Sequence, residues 1–541
     1  MAPHCTGSPP YCPWCDAAKL NRGNDLQPIV SVWLVGILHT ASYVGRGFRQ
    51  VGKVDYTPRP WTTQTNFLPT SPERSLMEFT KNLARVSALA LGIAGVLAYG
   101  DVHAAAFQLK ENSVKAQGRA MAGAASAKGD ASVVVNNPAV MSTFTERTLQ
   151  ADVTAIDLSY TFSGNGTAAT GTPFQQPLTG GNGGDAGDVA AVPAASFILP
   201  LSGDFEYLTL GAMISAPFGL KTEYDAGWKG RYHALESDVK IIDLTLAASL
   251  ELSDSFSIGA GLVYEHADVT LSQAVDFGTV ICGQNPAACL TPGSPYGPQR
   301  NDGLAHVNGT DNGWGWIVGV NWRPSAKWSL GYSHRSEIDH ELEGDGDFTV
   351  PPAVRTAFDN NPNLPPGVGP LLFTNPAALA KLTTPAVDTF SATYYATDRF
   401  TVMAEASRTD WTSLQEIRIE FDNPGQPDSA EEYNWAENWF YSIGGEYKFS
   451  DAFTFRAGVA RDDSPVSRPY RTPRLPDQDR MWYSLGLTWA LSEHFEINAS
   501  YVKIDIVDTP EVDLTTSTRA RLVGEFDGGA DLYGVSMQYR F

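Results

Sequence analysis

The strongest constraint in this sequence is an alternation of apolar and polar residues that begins near residue 149 and recurs to the last residue. In the final stretch the apolar face consists of Tyr533, Val535, Met537, Tyr539 and Phe541. A period of two indicates a β-strand, because successive side chains of a strand point to opposite faces of its sheet. The alternation predicts fourteen strands, near residues 149–160, 192–200, 206–216, 238–252, 256–272, 313–323, 327–342, 386–396, 399–408, 437–449, 452–461, 481–491, 494–506 and 530–541.

The connections between these stretches alternate strictly between short turns and long loops. Short turns on one side, long loops on the other and an even number of strands are typical of a bacterial outer-membrane barrel. Because hydrocarbon offers no water to an unpaired backbone group, a sheet that spans a bilayer must close on itself. We therefore predict an all-β fold, a fourteen-stranded antiparallel transmembrane β-barrel over residues 149–541.

A soluble all-β protein also has alternating strands, but its apolar face points into a core. Two features favour lipid instead: aromatic residues gather at the strand ends, and the other face is rich in Gly, Ser, Gln, Glu and Arg. At 43% hydrophobic residues the chain does not suit a bundle of membrane helices, each of which needs roughly 20 nearly uninterrupted apolar residues. A net charge of −22 argues against a nucleic-acid partner, which would require a basic face.

The chain before the first strand divides into three predicted parts. Residues 77–104 have the basic leading region, the apolar stretch and the small residues Val102 and Ala104 of a secretory signal peptide. Export machinery reads such a signal at an amino terminus, so residues 1–76 are predicted to be a non-native or mis-called extension. Residues 105–148 lack a strand pattern and are rich in Ala, Gly and Ser. They are predicted to pack inside the lumen as a plug, with a flexible tail as the alternative.

Two local patterns lie outside the strands. Asn137, Pro138 and Ala139 form the pattern of a helix N-cap followed by proline at the first helical position. Cys282 and Cys289 are close together in a loop-like segment of an exported chain, where disulfides persist, so we predict a disulfide between them.

Catalysis and metal binding have little support in the sequence. The close Ser and His pairings, His334 with Ser336 and Ser492 with His494, lack a convincing orienting acid, so an outer-membrane hydrolase is the weaker hypothesis. The ligand spacing of a metal site does not appear, and we predict no cofactor. The acidic run over 341–347 is interpreted as a solvated loop that at most bridges to lipopolysaccharide through cations.

Several short motifs resemble the FadL-type long-chain fatty acid transporters of the outer membrane. Three of them resemble motifs of the family's amino-terminal hatch, the segment that plugs the barrel. They are Ala106-Phe107-Gln108-Leu109, Gly118-Arg119-Ala120 and Asn137-Pro138-Ala139. Further matches are Pro217-Phe218-Gly219-Leu220, Trp314-Gly315-Trp316, Asp462-Asp463-Ser464-Pro465 and Pro476-Asp477-Gln478-Asp479-Arg480. They run in family order from about 105 to 541. The resemblance implies a fourteen-strand barrel, plugged by the hatch, that passes hydrophobic substrates inward by diffusion. We further predict that the protein is a monomer.

In that family the ligand is caught among the outer loops, moves to a pocket against the hatch and leaves sideways where the third strand is kinked. Proline cannot donate to a strand ladder and a nearby glycine weakens pairing further. The predicted lateral opening therefore consists of Ala216, Pro217, Phe218 and Gly219. The alternative is that the third strand simply ends at Ala216.

The substrate is the least constrained part of the prediction. A carboxylate would require a buried cation, and the candidates on polar strand faces are Arg335, Lys448, Arg456 and Arg461. Each could equally be a lumenal charge paired with an acid. Where one carboxylate-binding arginine of the family would align, this sequence has Gln273. We therefore predict uptake of long-chain fatty acids or similar hydrophobic molecules, with neutral aromatic or aliphatic hydrocarbons, or a general porin, as the alternatives.

Overall fold

A computed structural model describes residues 107–290, 294–361, 364–423 and 425–541. The predicted extension and signal peptide lie outside the described residues. Across those ranges, the helices are too short or too polar to cross a membrane. The α-helices are α1 (Val114–Gln117), α2 (Val133–Asn136), α3 (Phe277–Gln284), α4 (Pro286–Leu290) and α5 (Pro352–Asp359), and 3-10 helices lie at Pro138–Thr143, Gly203–Phe205, Gly369–Leu371, Trp411–Ser413 and Arg468–Tyr470.

The strands form a single sheet. They are β1 (Thr148–Ala168), β2 (Gln176–Pro177), β3 (Val189–Pro200), β4 (Leu208–Glu223), β5 (Glu236–Ser253), β6 (Phe256–Asp276), β7 (Asp302–Ser325), β8 (Trp328–Arg335), β9 (Ile338–Thr349), β10 (Ala377–Thr384), β11 (Val387–Tyr395), β12 (Phe400–Thr409), β13 (Glu416–Phe421), β14 (Ser429–Glu432), β15 (Asn438–Lys448), β16 (Phe453–Asp462), β17 (Arg480–Ala490), β18 (Phe495–Ile506), β19 (Glu511–Thr515) and β20 (Arg521–Arg540).

The sheet closes into a barrel because its last strand pairs with its first. The β1–β20 ladder runs antiparallel from Thr148↔Arg540 to Thr167↔Arg521. Four wall positions are each occupied by two consecutive short strands, β8 with β9, β10 with β11, β12 with β13 and β14 with β15, whereas β2 and β19 lie in connections. The described part of the chain therefore contains fourteen antiparallel wall strands, which confirms the predicted fold.

The distribution of exposed side chains is that of a membrane barrel. On β20, Tyr533 and Val535 are 53% and 58% exposed, whereas Ser536 and Gln538 on the opposite face are buried. Trp314, on β7, is 69% exposed. Apolar side chains outside and polar ones inside reverse the arrangement of a soluble sandwich, because the solvent around this wall is hydrocarbon.

The predicted strand boundaries are wrong mainly on the side of the long loops. The first strand continues to Ala168 rather than ending near 160, and the third continues to Glu223 rather than ending at Ala216. β7 begins at Asp302, within a predicted loop. Beyond the hydrocarbon both faces of a strand meet water, so the ladder continues after the alternation of apolar residues has stopped.

The N-terminal segment, residues 107–147, packs against inward-facing glycines of the wall. A Cβ atom at Gly458 would lie 2.3 Å from the main chain of Arg119, and one at Gly331 would lie 2.0 Å from the carbonyl oxygen of Ala125. Most of the segment is buried. Glycine on the wall therefore lets the main chain of the segment approach the main chain of the strands.

Candidate functional site

The predicted N-cap at Asn137 is present and also ties the N-terminal segment to the wall. Its Oδ1 accepts a hydrogen bond from the main-chain N–H of Ala139 at 3.1 Å, and Pro138 is the first residue of the 3-10 helix. Its Nδ2 donates to the carbonyl oxygens of Ala125 at 2.9 Å and Val320 at 3.0 Å. One asparagine side chain thus connects two turns of the segment and strand β7.

Buried ion pairs attach the same segment to the opposite part of the wall. Glu446 accepts from Arg119 Nη1 and from Arg456 Nε, each at 2.9 Å. Lys115 forms an ion pair with Glu496. Charges removed from water require partners of this kind. Arg456, a predicted carboxylate-binding residue, therefore contacts the carboxylate that holds the N-terminal segment.

An apolar pocket of about 790 Å³ lies in the half of the barrel nearer the long loops. Its lining includes Leu220, Val239, Val269, Leu342, Leu382 and Leu414. Phe107, from the N-terminal segment, also lines it. The Phe107 ring lies 4.7 Å from that of Trp411 and 5.8 Å from that of Trp435, measured between centroids. The position of the N-terminal segment therefore determines the shape of the pocket.

One buried arginine lines this pocket, and the sequence reasoning missed it. Arg474 donates from Nη2 to Gln273 Oε1 at 2.9 Å, from Nη1 to Ser237 Oγ at 3.1 Å, and from Nε to Glu431 at 3.1 Å. It follows β16 in a connection that has no strand period. Gln273, where a family arginine would align, is thus in direct contact with an arginine from a different part of the chain.

The predicted lateral opening coincides with a bulge in β4. Ser215 pairs with Asp243 of β5, but the next paired residue is Phe218, which pairs with Ile241. On the other edge of β4, the ladder to β3 reaches Ala195↔Ile214 and, within the described residues, extends no further toward the long loops. A break in the barrel wall therefore lies beside Ala216 and Pro217.

The N-terminal segment occupies this free edge of β4. Leu109 N donates to the carbonyl oxygen of Pro217, and Gly219 N donates to that of Phe107, each at 2.7 Å. A polar cavity of about 770 Å³ adjoins this contact and is lined by Leu109 and Pro217 among others. We call it the bulge cavity. Residues 107–109 therefore lie between the apolar pocket and the break in the wall.

The remaining predicted cations do not line the apolar pocket. Arg335 lies at the bulge cavity, where its Nη1 and Nη2 each lie 2.5 Å from a carboxylate oxygen, of Asp243 and Glu265 respectively. Lys448 ends β15 at a short turn and pairs with Asp451 at 3.0 Å. Both residues are therefore already paired with carboxylates of the protein.

Arg461 requires a correction. The sequence places it on a polar strand face, but it pairs in register with Tyr441, which is 46% exposed on the outward face. Its side chain is 51% exposed and contacts Asp463 at 2.7 Å. It lies at the outer end of β16, where a strand leaves the hydrocarbon and an outward charge is tolerated.

The long connections after β6 and β9 pack together through short helices. Cys282 in α3 and Cys289 in α4 are joined by a disulfide. Phe277 of α3 contacts Phe358 of α5, with ring centroids 5.9 Å apart. These helices form a covered apolar cluster on the loop side of the barrel.

A closed sheet with an apolar exterior, a filled lumen and an internal pocket defines a transmembrane β-barrel of the transport class. The chain belongs to the family described as outer membrane protein transport protein (OMPP1/FadL/TodX), whose model matches residues 95–541. It is therefore a protein of the bacterial outer membrane, as the sequence predicts.

This chain aligns with nearly the whole length of several named relatives. The long-chain fatty acid transport protein of Escherichia coli O6:H1 (strain CFT073) is 28% identical over 467 residues, 85% of this chain and 99% of the relative. Outer membrane protein P1 of Haemophilus influenzae is 28% identical over 480 residues, 83% and 98% of the two chains. A crystal structure of a Pseudomonas aeruginosa FadL homologue matches with a TM-score of 0.72 at 26% identity, over 81% of this chain and 100% of that one.

A more distant structural match is a transporter of a different substrate that has a similar fold. The Pseudomonas putida toluene transporter TodX has a TM-score of 0.55 at 15% identity, over 80% of this chain and 99% of that one. At this identity the match shows the fold alone.

Proposed function

We propose that the protein takes up long-chain fatty acids, or hydrophobic molecules of similar shape, by diffusion across the outer membrane. The observation that carries this proposal is the apolar pocket, which combines a lining of aliphatic side chains with the buried Arg474. Pockets that are mostly apolar and carry few polar groups are typical of small-molecule sites. The fatty acid transport proteins among the relatives support the same substrate class.

Arg474 is the cation that we propose for the carboxylate. A guanidinium has five N–H donors in a planar fork that suits a carboxylate. Glu431, one of the present partners of Arg474, is only partly buried. A substrate carboxylate would replace it from the pocket side while the acyl chain contacts Leu342 and Leu382. Arg335, Lys448, Arg456 and Arg461 are no longer needed for this role.

The proposed route runs from the long loops to the apolar pocket and then sideways past β4. Residues 107–109 separate the pocket from the break in the wall, so the substrate must displace them to leave. In this proposal the N-terminal segment is the hatch, and Ala216, Pro217, Phe218 and Gly219 form the lateral outlet. A side exit keeps an acyl chain in apolar surroundings, where each buried CH₂ is worth about 0.8 kcal/mol.

Neutral hydrocarbons are the second candidate substrate. Gln273 lies where a family arginine would align, and Arg474 already has Glu431 as a counter-charge. A neutral ligand would leave that ion pair intact and bind through the aliphatic lining alone. We further propose that the protein acts as a monomer, without a cofactor.

The substrate proposal is tested with a C16 fatty acid and its methyl ester, which share one tail and differ in charge. We expect Arg474→Gln to weaken binding of the acid to the purified protein about 10- to 100-fold and to leave the ester nearly unchanged, since hydrogen bonds to a charged group are worth about 1.5–3 kcal/mol. Arg461→Gln, which removes an exposed arginine, is the matched control.

Two results would separate the alternatives. Equal affinity of the native protein for acid and ester would contradict the role of Arg474 and favour neutral substrates. Binding that persists in Leu342→Trp, a variant that fills the apolar pocket, would contradict the pocket itself. Uptake by cells that lack other transporters of this family measures the same variants in the membrane.

A further inference from the structure

A third cavity, of about 430 Å³, lies against a different arc of the wall. It is lined by β1, β17, β18 and β20, with Gln108 and Glu111 of the N-terminal segment, and shares no wall strand with the apolar pocket among the described residues. Most of its surface is aliphatic, from Ile156, Leu158, Ile504 and Leu532. We call it the Trp482 cavity, after the tryptophan on its lining.

Three residues on this lining carry polar atoms that are buried without a partner. Within the described ranges, Glu111 Oε2, Arg480 Nε and Trp482 Nε1 have no hydrogen-bond partner. Glu111, Arg480 and Trp482 are 3%, 5% and 2% exposed. A buried polar atom without a hydrogen-bond partner destabilises the folded state. Three of them around one cavity indicate that something polar completes it.

We propose that the Trp482 cavity is a second binding site, which takes a neutral apolar molecule carrying one hydroxyl group, such as an aliphatic alcohol or a phenol. A hydroxyl can donate to Glu111 and accept from Trp482 at the same time. The hydrocarbon part would lie against Ile156, Leu158 and Ile504.

The charges around the cavity disfavour an anion. Arg480 already lies 2.7 Å from Asp462 and 3.5 Å from Asp477. Glu111 adds a further acid, and burial, more than any other influence, raises its pKa to about 7. A substrate carboxylate would therefore meet three acids, against an already neutralised Arg480 and the neighbouring Lys110, which itself faces Glu111 and Asp462. A plain hydrocarbon would leave all three polar atoms unsatisfied.

Water alone is the simplest other occupant. A buried water molecule needs two to four polar partners. Most of the lining is aliphatic, and these side chains form no hydrogen bonds with water. The site does not depend on the uptake route proposed above, because neither Arg474 nor the β4 bulge contributes to it.

The experiment uses crystals of the full-length protein soaked with 4-bromophenol or with bromobenzene, which has a similar shape but no hydroxyl. Anomalous scattering locates the bromine. We expect a bromine peak between Ile156 and Ile504 with 4-bromophenol and none there with bromobenzene at the same concentration. Ala530→Leu, which fills the cavity from β20, should abolish the peak.

Occupancy measured over a concentration series then tests the polar contact. Trp482→Phe removes the N–H and keeps the ring, so we expect half-occupancy to require about five-fold more 4-bromophenol. Leu342→Trp, in the apolar pocket, should change nothing at this site. Equal peaks for both compounds, a bromine in the apolar pocket alone, or water alone in the native protein would each overturn the proposal.

Discussion

At the scale of single residues, the N-terminal segment contacts the wall at glycines, where there is no room for a side chain. A Cβ at Gly458 would lie 2.3 Å from both the carbon and the oxygen of the Arg119 carbonyl group, and one at Gly486 would lie 2.8 Å from Gly118. Backbone atoms cannot rotate away as a flexible side chain can. The N-terminal segment therefore stays in place only while these wall positions remain glycine.

Gly458→Val should loosen the N-terminal segment without breaking the barrel. The valine would point at Arg119, whose side chain also holds Glu446, so both the close contact and the ion pair would be disturbed. We expect proteolysis of residues 107–147 to become several-fold faster. Ala457→Val, the neighbouring residue on the lipid-facing side of β16, is the control. Equal proteolysis of the two variants would contradict this account of the packing.

The position of Arg474 in the apolar pocket could not be predicted from the sequence. Arg335 and Arg456 could be found because they lie on strands whose polar face is predictable. Arg474 lies in a connection without a period, and its contacts with Ser237 and Gln273 join residues more than 200 positions apart. The sequence does identify Gln273 as unusual, but only the fold shows which arginine reaches it.

At the scale of elements, β4 is the strand whose pairing is incomplete. It pairs with β5 along its length, apart from the bulge at Ala216 and Pro217, and its other edge leaves β3 at Ile214. Residues 107–109 then supply hydrogen bonds that a neighbouring strand would otherwise make. An edge of this kind is stable only while covered.

Replacing both Pro217 and Gly219 by valine should slow uptake. Both changes favour a regular strand, because valine can donate to the ladder and has a high strand propensity. If the break in the wall narrows, substrate should bind in the apolar pocket with unchanged affinity but enter cells more slowly. Ala404→Val, on the exterior of β12, is the control. Unchanged uptake by the double variant would count against lateral release.

The number and direction of the strands follow from sequence, whereas their outer ends do not. The alternation reports the part of each strand that touches hydrocarbon, so it locates the core of β20 or β16 well. It gives no information about the strand ends outside the hydrocarbon, where β1 continues to Ala168 and where β13 and β14 form within a predicted loop. The break in β4 was predictable from Pro217, but its cover by residues 107–109 was not.

The connection between β4 and β5 should respond to pH through His233. Burial, with Arg474 nearby, lowers the pKa of His233 to about 4. The unfolded pKa is about 6.5, so the stability contributed by the neutral ring is present above pH 6.5 and is lost as the pH falls toward 4, by at most about 3 kcal/mol. Hydrogen exchange of residues 224–235 should therefore show less protection at pH 5 than at pH 7.5.

His233→Gln should remove this pH dependence, because its amide does not titrate. His494→Gln, at an exposed short turn, should retain it. If the native connection were equally protected at both pH values, His233 would not be the group that titrates.

At the scale of the whole molecule, the exterior and the interior of the barrel have different functions. The exterior is apolar and suits lipid. The interior contains the buried polar and charged side chains of the wall and is filled by a segment that contacts the wall on several sides, through Asn137, Lys115 and Arg119. An open aqueous porin has a polar interior too, but leaves it unoccupied. The contents of the lumen, rather than the wall, therefore decide whether ions pass.

Conductance in planar bilayers should accordingly be nearly zero for the native protein. Deleting residues 110–145 removes the helices and ion pairs that fill the lumen but none of the wall ladders, so that variant should still close into a barrel and conduct ions steadily. A folded band that shifts on heating in gel electrophoresis would establish that the deleted variant is intact. Steady current through the native protein would contradict a plugged barrel, because ions would then have a continuous aqueous path past residues 107–147.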